Sequence, residues 1–88
     1  MHEMSLIHNL LTKIQKVALA HNAERVVGVY VEIGALAHIS AGHFREHFEA
    51  ETVGTLAERA QLHIEVKSDI HDPHAQDILL KKVDVAEA

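Results

Sequence analysis

A long alternating segment most constrains how this 88-residue chain folds. From Arg25 to Gly34, branched apolar side chains alternate in the manner of a half-buried strand. From Leu6 to Ala20, apolar residues instead recur at helical spacing. Ser5 is the predicted N-cap of that helix, and Asn22 is predicted to end it in the left-handed conformation. The core-facing strand residues are predicted to be Val27, Val29, Val31 and Ile33.

The second half of the chain repeats the helix-then-strand order. Ser40 opens a predicted helix over Ala41 to Thr52, whose buried face carries phenylalanines four residues apart. Two strands are predicted, Gln61 to Ile70 and Ile78 to Val85. In the second, the apolar residues change phase, which predicts a bulge near Lys81-Lys82. The predicted fold is α+β, one domain over 1–88. Its small, mainly antiparallel or mixed sheet has three long strands and a short N-terminal strand, with two helices packed on one face.

Composition excludes several classes of function. A net charge of −5 and the lack of any basic run argue against a nucleic-acid partner. No apolar run reaches the length of about 20 residues that spans a bilayer, and no signal peptide is recognisable, so no membrane association and a cytoplasmic location are expected. The absence of cysteine rules out disulfides and thiolate metal sites, whereas nine histidines keep metal binding in view.

The first three residues carry a candidate chelate. The α-amine of Met1, the backbone amide of His2 and the Nδ1 atom of its imidazole can close fused rings on one ion, and Glu3 adds a carboxylate and an amide. Planar, nitrogen-rich coordination suits Ni(II) or Cu(II) better than Zn(II) or Mg(II). A histidine at position 2 is, however, often a terminal residue without a role. The chemistry alone leaves both interpretations open.

Several segments resemble the HypA/HybF family of nickel metallochaperones for hydrogenase maturation. The opening Met1–Leu6 matches the start of the family almost letter for letter, and Val27–Gly34 matches its first long strand. Phe48–Thr55 is similar to the second helix and its continuation, and Ile78–Val85 is similar to the C-terminal strand. The resemblance implies a chain that is not an enzyme. It implies nickel at His2, with Glu3 adjacent, delivered to the large subunit of a [NiFe]-hydrogenase or to urease with the help of a HypB-type GTPase.

One departure from the family is large. Members normally carry a zinc ribbon with two Cys-x-x-Cys pairs between the last two strands, whereas here only His71 to Asp77 stand there, as a predicted tight hairpin. No structural zinc is therefore expected. The chain is either a natural zinc-less relative or one from which the zinc module was removed. The alternative function is a zinc-less protein-interaction module without specific metal handling, and a homodimer formed by strand swapping is a further possibility.

The remaining histidines offer other roles. A fourth nickel ligand is sought among His71, His74 and His38. His43 and His47 belong to an H-x-x-E-H motif, which in inverted-motif metallopeptidases binds zinc. Such peptidases need a much longer chain and a further carboxylate ligand, so adventitious metal binding is the stronger interpretation of this pair.

Overall fold

Two helices and a three-stranded mixed sheet form the chain, as predicted. The computed structural model describes the backbone of residues 3–87 and the side chains of residues 5–86. The central strand pairs in parallel with one neighbour and antiparallel with the other, giving the order β2-β1-β3. The described elements are α1 (Glu3–Ala20), β1 (Ala23–Ile33), α2 (Ala41–Glu51), β2 (Gln61–Val66) and β3 (Ile78–Glu87).

Helix α1 begins earlier than predicted. Its first residue is Glu3, so Ser5 lies inside the helix and the predicted cap at Ser5 is wrong. Nothing local stops the helix there, because Ser5 is exposed and the residues before it include good helix formers. The predicted short N-terminal strand is not found, since residues 3–5 are helical and Met1 and His2 lie outside the described residues. The predicted left-handed end at Asn22 is confirmed by a φ of 52°.

The alternation of β1 changes phase midway. Val29, Val31 and Ile33 are buried as predicted, but Val26 is buried and Val27 is only half-buried. The prediction of Val27 as a core residue is therefore wrong. The register between β1 and β3 shifts between Val26 and Gly28, and the extra residue turns the preceding side chains to the opposite face.

Strand β3 contains the predicted bulge. Tyr30 pairs with Lys82 and Val31 pairs with Leu80, so Lys81 is the extra residue. Because the bulge corrects the phase, the apolar residues on both sides of it pack against one core: Ile78, Leu80, Val83 and Val85. The same core receives α1 through Ile7, Leu10 and Ile14 and α2 through Phe44 and Phe48.

Strand β2 is shorter than predicted. It ends at Val66, not Ile70, because Val66 pairs with Ile33, the last residue of β1, and no partner strand continues beyond it. Only the Lys67 N–H donates further, to the Ile33 carbonyl at 2.9 Å. Val66, at the end of the strand, is 57% exposed, although its alternation with Leu62 and Ile64 predicts an inward position.

The connection from β2 to β3 is not a tight hairpin, because the two strands lie on opposite sides of β1. It crosses the end of β1, where the Gly34 N–H donates to the Asp77 carbonyl at 2.9 Å and the Leu36 N–H donates to the Ala75 carbonyl at 2.7 Å. Ala75 is buried within this crossing. The connection is therefore an integral part of the fold.

The start of α2 offers a test of helix capping. The Ser40 Oγ accepts a hydrogen bond from the His43 N–H at 3.1 Å, so replacing Ser40 with alanine is expected to cost about 1 kcal/mol of unfolding free energy. Ser5→Ala is the matched control, because Ser5 is exposed inside α1 and its loss should change stability by at most a few tenths of a kcal/mol. Urea denaturation of both variants measures the difference. Equal losses would mean that Ser5 caps α1 after all.

Candidate metal centre

The predicted nickel ligands lie at the start of the chain. Met1 and His2 are outside the described residues, as is the Glu3 side chain; the Glu3 backbone is the first residue of α1. Ile7 is fully buried, so the helix that continues from these residues is anchored in the core within about one turn of its start.

Of the three predicted fourth ligands, His38 lies beside the start of α1. It lines a cavity of about 400 Å³ together with Leu6 and Gln76. Its side chain is exposed, and its φ of 61° places it in the left-handed region, which histidine occupies more readily than most residues. An imidazole is therefore held next to the first turns of α1 by the loop between β1 and α2.

The other two candidates belong to the crossing over β1. The ring Nδ1 atom of His74 lies 3.0 Å from an Asp77 carboxylate oxygen. The backbone N–H of His74 donates a hydrogen bond to the Asp72 carboxylate at 2.7 Å. It lines a cavity with Glu32 and Lys67 that does not include Leu6. His71 is exposed, and its N–H donates to the Asp69 carboxylate at 2.9 Å. The structure brings neither imidazole to the cavity beside Leu6.

The H-x-x-E-H motif lies on α2. The Nε2 atoms of His43 and His47 are 2.9 Å apart, as expected for positions i and i+4 on one helix face. Within residues 5–86, no three side chains of the ligating types converge as a metal site, so Glu46 does not complete one with this pair. Among residues 5–86 the arrangement therefore provides two neighbouring imidazoles, one protein ligand fewer than a catalytic zinc site uses.

Two contacts have no signal in the sequence. The His8 Nε2 atom lies 3.0 Å from a Glu51 carboxylate oxygen and so joins α1 to the end of α2. On the outer sheet face, the Tyr30 and His63 rings stack with centroids 4.2 Å apart, and Lys82 lies over the Tyr30 ring. His8 and Glu51 are brought together by the packing of the two helices. Tyr30 and His63 are brought together by the register between β1 and β2.

The fold is similar to that of two solved HypA structures. A solution structure of the Ni metallochaperone HypA from Helicobacter pylori superimposes with a TM-score of 0.81, covering 100% of both chains at 16% identity. Another HypA solution structure superimposes with a TM-score of 0.74 at 18% identity. At these identities the likeness concerns the fold alone. In the part of the chain that the structure describes, neither helix has the length and apolar content to cross a membrane.

The chain belongs to the HypA family, described as hydrogenase/urease nickel incorporation metallochaperones, whose model matches residues 1–71. It is 40% identical over 67 residues to the hydrogenase maturation factor HybF of Salmonella typhimurium, covering 76% of this chain and 59% of that one. It is 44% identical over 64 residues to the hydrogenase maturation factor HypA of Azotobacter chroococcum, and the match covers 73% of this chain and 57% of that one. The chain thus spans less than two thirds of the length of these relatives. The predicted family and the prediction that the chain is not an enzyme are confirmed, although 78–85 lies beyond the family match.

Proposed function

We propose that the chain binds one Ni(II) ion at its amino terminus and delivers it during maturation of a [NiFe]-hydrogenase or urease. The Met1 amine and the His2 amide and imidazole nitrogens would surround the metal in a plane, with Glu3 contributing its amide or carboxylate. The observation that carries this proposal is the family match, which begins at residue 1 and so includes these ligands. Anchoring of α1 in the core supports it, because the ligands adjoin a firmly held helix.

His38 is the proposed fourth ligand. This proposal is supported by the position of His38 beside Leu6, which lies about one helical turn after the predicted chelate. The loop that carries His38 is hydrogen-bonded at the end of β1. His74 is the weaker choice because its Nδ1 atom already pairs with Asp77. In this proposal three nitrogens come from the terminus and one from the loop before α2, so nickel would join two parts of the fold.

The proposed partners are those of hydrogenase maturation. They are a HypB-type GTPase and the hydrogenase large subunit, met in the cytoplasm. We further propose that 1–88 acts as a single nickel-binding domain in which the crossing at 71–77 stands where a zinc ribbon would be. Structural zinc is not part of the proposal, because the sequence has no cysteine.

A nickel titration of the chain with its natural amino terminus tests the proposal. We expect one tightly bound equivalent with the d–d absorption of planar Ni(II). Replacing His2 with alanine, or acetylating the Met1 amine, should abolish this tight planar binding, because each change removes a nitrogen donor from the chelate. Release below about pH 6 is also expected, since a ligating imidazole must be neutral and ordinary histidines titrate near 6.5.

The matched control is His21→Ala, which removes an exposed histidine just after α1 and should leave the titration unchanged. If the His2→Ala chain takes up nickel like the parent, the ligands have been misplaced. Glu3→Gln separates the two roles of Glu3, because it removes the carboxylate and keeps the amide nitrogen.

The fourth ligand has its own test. His38→Asn removes the imidazole while keeping a residue that tolerates a positive φ, so the loop should retain its shape. We expect weaker nickel binding and a shifted d–d band. His74→Asn is the control and should change neither. The opposite result would move the fourth ligand to the crossing over β1.

A second candidate function is a protein-interaction module, and the two sheet edges favour it. The order β2-β1-β3 leaves one side of β2 and one side of β3 without a partner strand in the sheet. Val66 and Ile70, near the end of β2, are more than half exposed. Such an edge could take a strand from a client or from a second copy, including a swapped β3. Absence of specific nickel in equilibrium dialysis, with association that rises with concentration in sedimentation, would favour this function.

A further inference from the structure

A second cluster of metal-ligating atoms lies outside the amino terminus. On α2, the His43 and His47 Nε2 atoms approach to 2.9 Å, with ring centroids 4.6 Å apart and planes inclined by 44°. At this distance one Nε2 donates a hydrogen bond to the other, so both ring nitrogens are directed at the same small region of the surface. The two atoms that most often bind transition metals are therefore already gathered.

The helix holds the pair firmly. The Ser40 side chain caps α2 at the His43 N–H, and Phe44 and Phe48, on an adjacent face of the same turns, are buried in the core. The backbone positions of the two histidines are thus fixed by packing. The His43 side chain is exposed and the His47 side chain is half-buried, so an ion can reach them from solvent.

The distance between the two nitrogens, which the hydrogen bond sets, is also compatible with chelation of one ion. For metal–nitrogen bonds of about 2.0–2.1 Å, two ligands at a right angle lie about 2.9 Å apart, whereas tetrahedral ligands lie about 3.3 Å apart. The observed 2.9 Å matches adjacent positions of a square or octahedral site. Tetragonal nitrogen coordination is typical of Cu(II) and Ni(II). One of the two Nε2 atoms carries the shared proton, so binding one ion through both nitrogens requires that proton to move to the Nδ1 atom of its ring or to solvent, and both rings to turn away from the hydrogen bond.

We propose that His43 and His47 form a second metal site, a two-imidazole chelate for Ni(II) or Cu(II) on the face of α2. Within residues 5–86 no third ligating side chain joins this pair in a metal-binding group. The acidic composition of α2, with Glu46 and Glu49, and the net charge of −5 attract cations to this surface.

A chelate of two imidazoles, without the amine and amide nitrogens of the proposed amino-terminal site, is expected to bind a metal ion more weakly and to exchange it faster. It lies on the helix that packs beside the first half of α1, as the His8–Glu51 contact at 3.0 Å shows. A metal ion held there is open to solvent. These properties suit a transient holding site, and its existence does not depend on the amino-terminal proposal.

The test uses a chain whose terminal chelate is blocked by one added residue before Met1 together with His2→Ala. Titration with NiCl₂ and with CuCl₂, followed by calorimetry and d–d absorption, is expected to show one equivalent of either metal. His47→Gln in this background should remove it. Adding Arg45→His to His47→Gln restores the number of histidines at a spacing of two, which does not place them on one face, and should not recover binding.

A second measurement needs no change on α2. Substoichiometric Cu(II) added to the blocked chain should broaden the imidazole resonances of His43 and His47 first, leaving His63, which stacks on Tyr30, sharp. A blocked chain that binds neither metal, or binding that survives His47→Gln, would overturn the inference. If the blocked chain binds one equivalent and the natural chain binds no more, the amino-terminal proposal fails and the α2 site stands.

Discussion

Replacing Gly34 with alanine is expected to lower the free energy of unfolding by about 3 kcal/mol. An added Cβ would overlap the Ala75 carbonyl group and the His74 carbonyl oxygen, which are backbone atoms that cannot rotate away. Relief requires the crossing to move off the end of β1, which breaks the hydrogen bonds that Gly34 and Leu36 donate to it. Urea denaturation followed by far-ultraviolet circular dichroism measures the loss.

Gly42→Ala is the matched control. An added Cβ at Gly42 meets nothing within 4 Å, and the residue lies inside α2. Alanine is favoured over glycine in a helix, so this variant should gain about 0.5–1 kcal/mol. If Gly34→Ala were as stable as Gly42→Ala, the crossing would not run over the end of β1 as described.

Replacing Phe44 with alanine is expected to cost about 3–5 kcal/mol, comparable to the whole stability of many small domains. Its side chain is 0% exposed and stacks against Phe48 with ring centroids 6.2 Å apart. The cavity left behind would lie between α2 and the rest of the core, so α2 should loosen first. A large fall in the urea midpoint, with the chain partly unfolded in water in the extreme case, is the expected result.

Leu19→Ala provides the comparison for Phe44→Ala. Leu19 is 76% exposed at the end of α1, so the loss of its side chain should change stability by no more than about 0.5 kcal/mol. Because both changes remove a large apolar side chain from a helix, the contrast isolates burial. Similar losses at the two positions would show that α2 does not pack as described.

The order and type of the long elements could be predicted from local patterns, and so could one irregularity. The phase change within β3 already required an extra residue near Lys81, since both halves of the strand must face one core. The corresponding change in β1 was missed, because Val26 and Val27 are both valine and either could face inward. Hydrophobicity alone cannot choose between neighbouring identical residues; the pairing with β3 does.

The candidate metal sites divide in the same way. The amino-terminal chelate and the His43/His47 pair follow from adjacency and from i,i+4 spacing, which the local backbone translates directly into distance. The choice of His38 over His74 could not be made from sequence. It depends on which loop lies beside Leu6, and that is set by how the chain crosses the sheet.

By itself, the sequence determined the helices, the strands, the β3 bulge and the family, because these depend on periodicity and on residues close together in the chain. The tertiary structure alone decided that β3 lies across β1 from β2, that 71–77 crosses the sheet end, and that His8 meets Glu51. These contacts join distant segments, so they result from how one core can be buried by all five elements at once, which no local pattern specifies.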